Sequence, residues 1–167
     1  MPISPETLHD LNISENQLTE ALVHDVQDVF ATMLGVSDIT HISTQTEMLY
    51  SCSNCLTAMV GMVGRYNGLV CIKLPLALAL SFTSLMLDME VTDVNDDVHD
   101  AMGEIANMVG GSFKQHLSRA GDDVKLSTPS VVCGTDYTVS AGSKLGDITL
   151  YLKSGAEMFA VSVIIEN

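Results

Sequence analysis

Residues 94–117, VNDDVHDAMGEIANMVGGSFKQHL, form the stretch with the most regular apolar periodicity in the chain. Its apolar residues recur at spacings of three and four, which is the pattern of one buried face of an α-helix. These residues are Val94, Val98, Ala101, Met102, Ile105, Val109 and Phe113. The spacing therefore predicts an amphipathic helix, from about Val94 to Leu117, that packs against a hydrophobic core.

The opposite side of this predicted helix carries Asp100, Glu104, Asn107 and Gly111. Residues three apart are neighbours on a helix surface, so Glu104 and Asn107 present a carboxylate and a carboxamide side by side. Such a pair is by itself common on any solvated helix face. The adjacent glycines Gly110 and Gly111 are less ordinary, because a glycine inside a helix costs about 0.5–1 kcal/mol relative to alanine. They indicate close approach of another backbone, either within the fold or from a docked partner.

Two further helices are predicted upstream of this stretch. Apolar residues spaced by three and four predict a helix over residues 16–34, and Gly35 is a typical C-terminal stop. Pro75 can open a second helix that runs to about Leu87, because leucine and alanine outnumber β-branched residues there. An acidic linker, residues 88–97, then leads into the long helix.

The remaining segments predict strands and turns. Asn67-Gly68, between two β-rich runs, is a strong hairpin signal, and Ser154-Gly155-Ala156 is predicted to join the last two strands. The predicted strands lie near residues 59–63, 69–74, 124–133, 137–141, 147–153 and 158–165. This order of helix, hairpin, two helices and consecutive strands predicts an α+β fold, with helices packed on a largely antiparallel sheet.

Length and composition predict one globular domain. The chain has 167 residues, of which 47% are hydrophobic, and this suffices for a single core. Residues 1–15, which are mostly polar and contain two prolines, are expected to be a loosely held lead-in to a domain over residues 16–167.

Residues 1–20 lack the basic and apolar regions of a leader peptide, and the longest apolar stretch, residues 74–80, is far shorter than a membrane span. We therefore expect a soluble, cytoplasmic protein.

The net charge of the chain indicates which classes of macromolecule can be expected as binding partners. It carries 21 acidic and 7 basic residues, for a formal net charge of −14. An acidic surface repels the phosphates of nucleic acids and the headgroups of anionic lipids. Nucleic acids and membrane surfaces are therefore not expected as partners, whereas specific contacts with other proteins are.

Of the four cysteines, Cys52, Cys55, Cys71 and Cys133, only the first two are close, in a C-x-x-C spacing. A lone pair of this kind could be half of a zinc site or a redox pair. The five histidines are scattered, a second C-x-x-C is missing, and a strand rather than a helix is predicted after Cys55. We expect ordinary reduced thiols and no metal site, with zinc or redox use as the alternative.

The segment at residues 100–111, DAMGEIANMVGG, closely resembles the signature helix of the CheC/CheX family of chemotaxis phosphatases. The likeness extends to VFATMLG at residues 29–35, to GMVG at residues 61–64 with its Asn-Gly turn, and to the helix predicted over residues 76–87. These elements come in the family's order and cover about residues 16–165. CheC-type members typically carry two acid–Asn helices, whereas the first helix here has no ExxN, so the chain looks CheX-like.

The resemblance implies a phosphatase that hydrolyses the aspartyl phosphate of a CheY-type response regulator. Asn107 would orient the attacking water in line with the phosphorus, and Glu104 would engage the active-site lysine of the regulator. Asp100, Met108 and Gly111 would be partner-binding residues beside this catalytic pair. The Mg²⁺ would belong to the regulator, so no cofactor bound by this chain is implied. A homodimer formed by edge-to-edge pairing of sheets is implied as well.

Two other hypotheses remain open from the sequence. The first is a non-catalytic module that binds response regulators or belongs to a flagellar switch, because those proteins share this architecture and a fold alone does not secure activity. The presence of both Glu104 and Asn107 favours catalysis, since an adaptor needs neither residue. The second is a zinc or redox protein that uses Cys52 and Cys55.

Overall fold

The computed structural model describes residues 1–42, 52–118, 123–142 and 145–166. The helices in these ranges are α1 (Pro5–Leu11), α2 (Glu15–Leu34), α3 (Leu76–Leu87) and α4 (Asp96–Phe113), and the 3-10 turn Lys114–His116 continues α4. The strands are β1 (Thr40–Ile42), β2 (Cys55–Gly64), β3 (Gly68–Pro75), β4 (Val124–Leu126), β5 (Ser130–Gly134), β6 (Leu145–Ser154) and β7 (Glu157–Glu166). The helices are too short or too polar to serve as a membrane span.

The strands form one sheet in the order β1-β6-β7-β3-β2, and both β4 and β5 pair along the outer edge of β2. Every pairing in the described ranges is antiparallel. Helices α2, α3 and α4 pack against the sheet. The predicted α+β fold, with helices on a largely antiparallel sheet, is therefore confirmed.

The two faces of the sheet differ in polarity because successive side chains of a strand point to opposite sides. On β2, Leu56, Ala58 and Val60 are buried in the core, whereas Thr57 lies on the other face beside Tyr137. The core residues of the other long strands show the same alternation; they are Val70, Ile72, Leu74, Ile148, Leu150, Leu152, Phe159, Val161, Val163 and Ile165. The helices therefore cover one apolar face and leave a more polar face behind.

Three phenylalanines join the layers at the centre of the core. Phe30 of α2, Phe82 of α3 and Phe159 of β7 have ring centroids 5.2, 5.4 and 6.0 Å apart. Each ring is at most 2% exposed. Edge-to-face and offset-stacked rings at these separations add to the hydrophobic contribution of the buried area. These contacts fix two helices relative to the sheet on which α4 also packs.

The predicted helices and hairpins have clear local causes. Ser14 and Gln17 form a capping box at the start of α2, and Gly35 ends this helix with a φ of 65°. A left-handed residue at this position favours glycine, which has no Cβ to clash. The β2–β3 and β6–β7 hairpins are also confirmed, in the registers Met62↔Gly68 and Ser154↔Glu157.

Residues 1–15 were predicted to be a loosely held lead-in, but they contact the rest of the domain closely. Ile3 is 2% exposed and belongs to the core. The carbonyl of Met1 accepts a hydrogen bond from the backbone N–H of Asp147 at 2.7 Å. Arg65 donates to Asp10 of α1 at 2.9 Å. A few apolar residues in an otherwise polar segment thus suffice to attach it.

The segment at residues 137–141 is not a strand, so that prediction is wrong. Tyr137 lies against the polar face of the sheet, where its hydroxyl is 2.7 Å from the Thr57 hydroxyl. The Lys73 ammonium lies 5.4 Å from the centre of the same ring. The β-prone side chains of this segment therefore pack across the sheet rather than along an edge. The run predicted at residues 124–133 likewise divides into β4 and β5.

Candidate functional site

Helix α4 begins at a side-chain cap and ends on a 3-10 turn. The Asn95 side chain accepts a hydrogen bond from the Val98 N–H at 3.2 Å, which satisfies one of the free donors of the first turn. Asp96 and Asp97 follow in that turn, where negative charge is favourable to the helix dipole. The cap explains why the helix starts two residues after the predicted Val94. At the other end, the Lys114 ammonium donates to the Val124 carbonyl at 3.1 Å.

The end of α4 is also tied to α2 by an ion pair. Nε2 of His116 lies 2.9 Å from a carboxylate oxygen of Asp25. This hydrogen bond raises the pKa of His116 above its ordinary value, burial opposes the rise, and the charge of Asp25 adds to it. The contact joins the turn after α4 to α2, so it restrains both the position of α4 and its rotation about its own axis.

The two sides of α4 have the roles that the periodicity predicted. Val98, Ile105 and Val109 are at most 1% exposed and face the core. Glu104 is exposed and Asn107 is half-buried on the opposite side. In the described part of the chain, no hydrogen bond or ion pair engages either side chain. The carboxylate and the carboxamide are therefore available to a partner.

Asp100 and Met108 flank this pair in different ways. Asp100 is exposed one turn before Glu104, so the two carboxylates make this end of the face negative. Met108 is half-buried and packs against the core cluster. Its side chain thus supports the helix, and the part left exposed can contact a docked protein.

A shallow groove beside Glu104 is bordered by the connection between β4 and β5. It is lined by His99, Asp100, Gly103, Glu104, Pro129 and Val131. A Cβ on Gly103 would lie 3.1 Å from the Cβ of Pro129, closer than side chains normally pack. Gly103 therefore lets the Pro129 ring approach the helix. Sequence reasoning did not find Pro129, because only the β2–β5 pairing brings it to α4 and no local pattern marks that contact.

The two adjacent glycines of α4 have different surroundings. A Cβ on Gly110 would lie 3.5 Å from the Leu126 side chain, which is an ordinary contact. A Cβ on Gly111 would meet nothing within 4 Å. Neither residue has a positive φ. Among the residues that the structure describes, no backbone approaches Gly111 closely, and a docked partner is the other explanation that the sequence offered.

Cys133 of β5 lies at one end of this region. Its sulfur is 3.7 Å from Nε2 of His99, and burial raises the pKa of its thiol. A raised pKa disfavours the reactive thiolate. The thiol form of Cys133 is therefore favoured over the thiolate.

Cys52 and Cys55 lie side by side, with Cα atoms 5.8 Å apart, and the reduced state expected of this pair stays a prediction. The separation lies in the ordinary range for disulfides, and the bend that enters β2 provides it. Cys71 and Cys133 are free. No group of three or more His, Cys, Asp or Glu residues that could hold a metal ion occurs within the described ranges.

Comparison with known proteins finds one family and several related structures. The profile described as "Chemotaxis phosphatase CheX" matches residues 56–153, which is more than half of the chain and includes all of α4. The CheY-P phosphatase CheX of Thermotoga maritima is 25% identical over 126 residues, which cover 75% of this chain and 81% of that protein.

Two crystal structures show how closely the fold is shared. CheX of Vibrio vulnificus superposes with a TM-score of 0.75 at 24% identity, covering 90% of this chain and 97% of that chain. A chain of the CheX–CheY–BeF3–Mg complex of Borrelia burgdorferi superposes with a TM-score of 0.74 at 18% identity, covering 89% of this chain and 97% of that one. At these identities, the two structures establish a common fold.

Proposed function

The chain belongs to the CheX family of chemotaxis phosphatases, and we propose that it hydrolyses the aspartyl phosphate of a CheY-type response regulator. The observation that carries the proposal is the α4 face, where Glu104 and Asn107 are neighbours without partners in the described part of the fold. A relative is named as a CheY-P phosphatase, which supports the same substrate class.

Asn107 is proposed to position the attacking water. Catalysis of phosphoryl transfer depends mainly on positioning of the nucleophile and on neutralisation of charge. A carboxamide can accept a hydrogen bond from water and donate another without changing its charge. The half-buried position of Asn107 favours this role, because the helix surface limits its rotamers.

Glu104 is proposed to recognise the regulator. Its exposed carboxylate can form an ion pair with the active-site lysine of a CheY-type partner and thereby fix the angle at which Asn107 enters. Asp100 adds negative charge to the same end of the face. Such charges mainly steer association and set the docking orientation.

Gly111 and Met108 are proposed to shape the contact. The open space over Gly111 lies one turn beyond Asn107 on the same face, so a partner can approach the helix backbone there. The exposed part of Met108 offers an adaptable apolar contact. Mg²⁺ bound by the regulator and a homodimer remain predictions from the family resemblance, and a cytoplasmic location remains a prediction from the sequence.

The test follows the decay of a phosphorylated CheY-type regulator from the same organism, with and without this protein. We expect faster decay, and a loss on the order of 100-fold in the Asn107→Ala variant, because misplacing the water removes most of the benefit of alignment. Asn16→Ala is the matched control, since Asn16 is an exposed asparagine at the start of α2. Full activity of Asn107→Ala would contradict the site.

The alternative is a non-catalytic module that binds response regulators or acts in a flagellar switch. It predicts that the protein binds the activated regulator but leaves its phosphate lifetime unchanged. Titration of the regulator activated with beryllofluoride and Mg²⁺ measures binding without hydrolysis. Binding together with an unchanged decay rate would favour this alternative.

A further inference from the structure

A second exposed surface lies where α3 ends, and we name it the α3 groove. It is lined by Leu80, Ser84, Leu85, Asp88, Met89 and Glu90. Leu85 is 53% exposed and Met89 is 55% exposed. The large apolar side chains exposed in the described ranges are Met1, Val63, Leu85, Leu87, Met89, Val132 and Val139. Three of them fall within residues 85–89, and clustering of this kind marks interaction surfaces in soluble proteins.

Two hydrogen bonds to Ser84 hold the turn after α3, which forms one side of this groove. The Ser84 carbonyl accepts a hydrogen bond from the Met89 N–H at 3.2 Å. The Ser84 hydroxyl accepts another from the Val91 N–H at 3.0 Å. Val91 is 8% exposed and belongs to the core. The turn after α3 is therefore anchored to Ser84 at Met89 and at Val91, and the Met89 side chain is left exposed.

The chain that leaves the groove forms, in sequence, an acidic strip that continues to the α4 face. Residues 75–112 contain no lysine or arginine, and their acidic residues are Asp88, Glu90, Asp93, Asp96, Asp97, Asp100 and Glu104. All of these side chains are exposed. Asp97, Asp100 and Glu104 recur at spacings of three and four, so they line the side of α4 that carries Asn107. A partner that covers this strip must carry positive charge.

The groove is joined to the helix that carries the catalytic pair by one short connection. With a rise of about 1.5 Å per residue, Asp96 and Glu104 are separated by roughly 12 Å along α4. A typical protein interface covers about 800 Å² on each side, which is wide enough to include Asp96 and Glu104 together. The chain from Asp88 to Asn95 connects the groove directly to the start of α4.

We infer that the α3 groove is an auxiliary docking site for the same response regulator, and that it takes an apolar side chain flanked by lysine or arginine. The inference rests on the proposed function, because the partner is the regulator that docks on α4. The groove lies outside the catalytic pair, so its contacts contribute equally to the ground state and to the transition state. Loss of such contacts raises KM and leaves kcat unchanged.

The first test replaces the apolar lining with glutamine, in the double variant Leu85→Gln and Met89→Gln. We expect the regulator concentration at half-maximal rate to rise about tenfold, with kcat unchanged. The control is Val63→Gln, because Val63 is 61% exposed at the end of β2. An unchanged half-saturation, or an equal rise in the Val63 variant, would overturn the inference. Thermal unfolding of each variant verifies that the fold is intact.

The second test removes charge beside the groove, in the double variant Glu90→Gln and Asp93→Asn. We expect weaker binding and a shallower dependence of the half-saturating concentration on salt, since fewer charges take part. The control is Asp136→Asn with Glu157→Gln, which removes two exposed charges elsewhere. A salt dependence that changes equally in both double variants would contradict a docking role for this strip.

Failure of the inference and failure of the proposed function are distinguishable. Binding of the regulator, activated with beryllofluoride and Mg²⁺, is measured in the Asn107→Ala background, where hydrolysis plays no part. Tight binding that the Leu85/Met89 variant weakens supports the groove even if the wild-type protein does not accelerate decay. Binding that this variant leaves unchanged overturns the groove even if decay is accelerated. Absence of any binding overturns both.

Discussion

At the scale of single residues, substitutions at the two neighbouring glycines of α4 allow the stability of the helix and the binding of a partner to be tested separately. Both sit inside the helix, and neither needs a positive φ. Gly110 points toward Leu126, and Gly111 points into open space. The same substitution at the two positions therefore changes helix propensity equally but alters the outer surface at only one of them.

We expect Gly110→Ala and Gly111→Ala each to raise the free energy of unfolding by about 0.5–1 kcal/mol, because alanine restricts the unfolded chain and favours the helix. Only Gly111→Ala should weaken regulator binding, by about tenfold in the half-saturating concentration, since its methyl group occupies the space left for the partner. Urea unfolding and phosphate-decay assays measure the two effects. A more stable and fully active Gly111→Ala protein would show that no partner uses this space.

The residues of the candidate site were predictable to different degrees. Glu104, Asn107 and Gly111 follow from helical spacing and from the likeness of their segment to a known family, both of which are local. Pro129 was missed because its contact with Gly103 depends on strands that pair far apart in the chain. The close approach of Cys52 and Cys55 is compatible with their C-x-x-C spacing, but spacing alone leaves their redox state open.

At the scale of secondary-structure elements, α4 is held by contacts at both ends. The pair His116–Asp25 joins its 3-10 extension to α2, and the Asp25 carboxylate is only 13% exposed. The pKa of His116 is raised in the folded protein, first by this hydrogen bond. Its contribution to stability is therefore fully present below the unfolded pKa of about 6.5 and is lost as the pH rises through the higher folded value.

We expect the free energy of unfolding to depend less on pH between about 6 and 8 in the His116→Gln variant than in the wild type. The difference between the two proteins should be largest at the acidic end of this window, where the imidazolium is present in the wild type. His24→Gln is the control, because the pair His24–Asp28 is 72% and 66% exposed and such pairs contribute little. Equal pH dependence in His116→Gln and the wild type would refute the linkage. Urea unfolding at several pH values gives the comparison.

Helices and strands with a clear apolar periodicity in the sequence were predicted well. Segments whose structure depends on contacts with distant residues were not. Helix α2 and the β2–β3 hairpin follow from apolar spacing, a glycine stop and an Asn-Gly turn. The segment at residues 137–141 has β-prone side chains, but the contact of Tyr137 with Thr57 places it across the sheet. Strand β1 has only three residues and gains its structure by pairing with β6. Local propensity cannot decide either case, because the deciding contacts are tertiary.

At the scale of the whole molecule, the phenylalanine cluster connects elements that come from distant parts of the chain. Phe30 and Phe82 come from two helices, and Phe159 comes from the last strand. The α+β class was predictable from the order of elements, whereas the strand order was not. Strand β3 pairs with β7, for example, through residues about ninety positions apart, and no local pattern encodes that choice.

We expect Phe82→Ala to lower the free energy of unfolding by about 3–5 kcal/mol, the usual cost of deleting a buried aromatic ring. Denaturant titration measures this loss. Leu87→Ala is the control, because Leu87 is 40% exposed at the end of the same helix and should cost far less. A loss under about 1 kcal/mol for Phe82→Ala would contradict the central role of the cluster.

One side of α4 faces the core and the other carries Asn107, and this arrangement limits the insertions and deletions that the helix can accept. Each residue turns an α-helix by about 100°, so inserting or deleting one residue between Val98 and Asn107 would rotate the two ends of the helix against each other. Either Val98 would leave the core or Asn107 would turn into it. We therefore expect family members to keep the length of this helix and to differ mainly at its exposed positions outside the site, while insertions and deletions accumulate in the connections on either side.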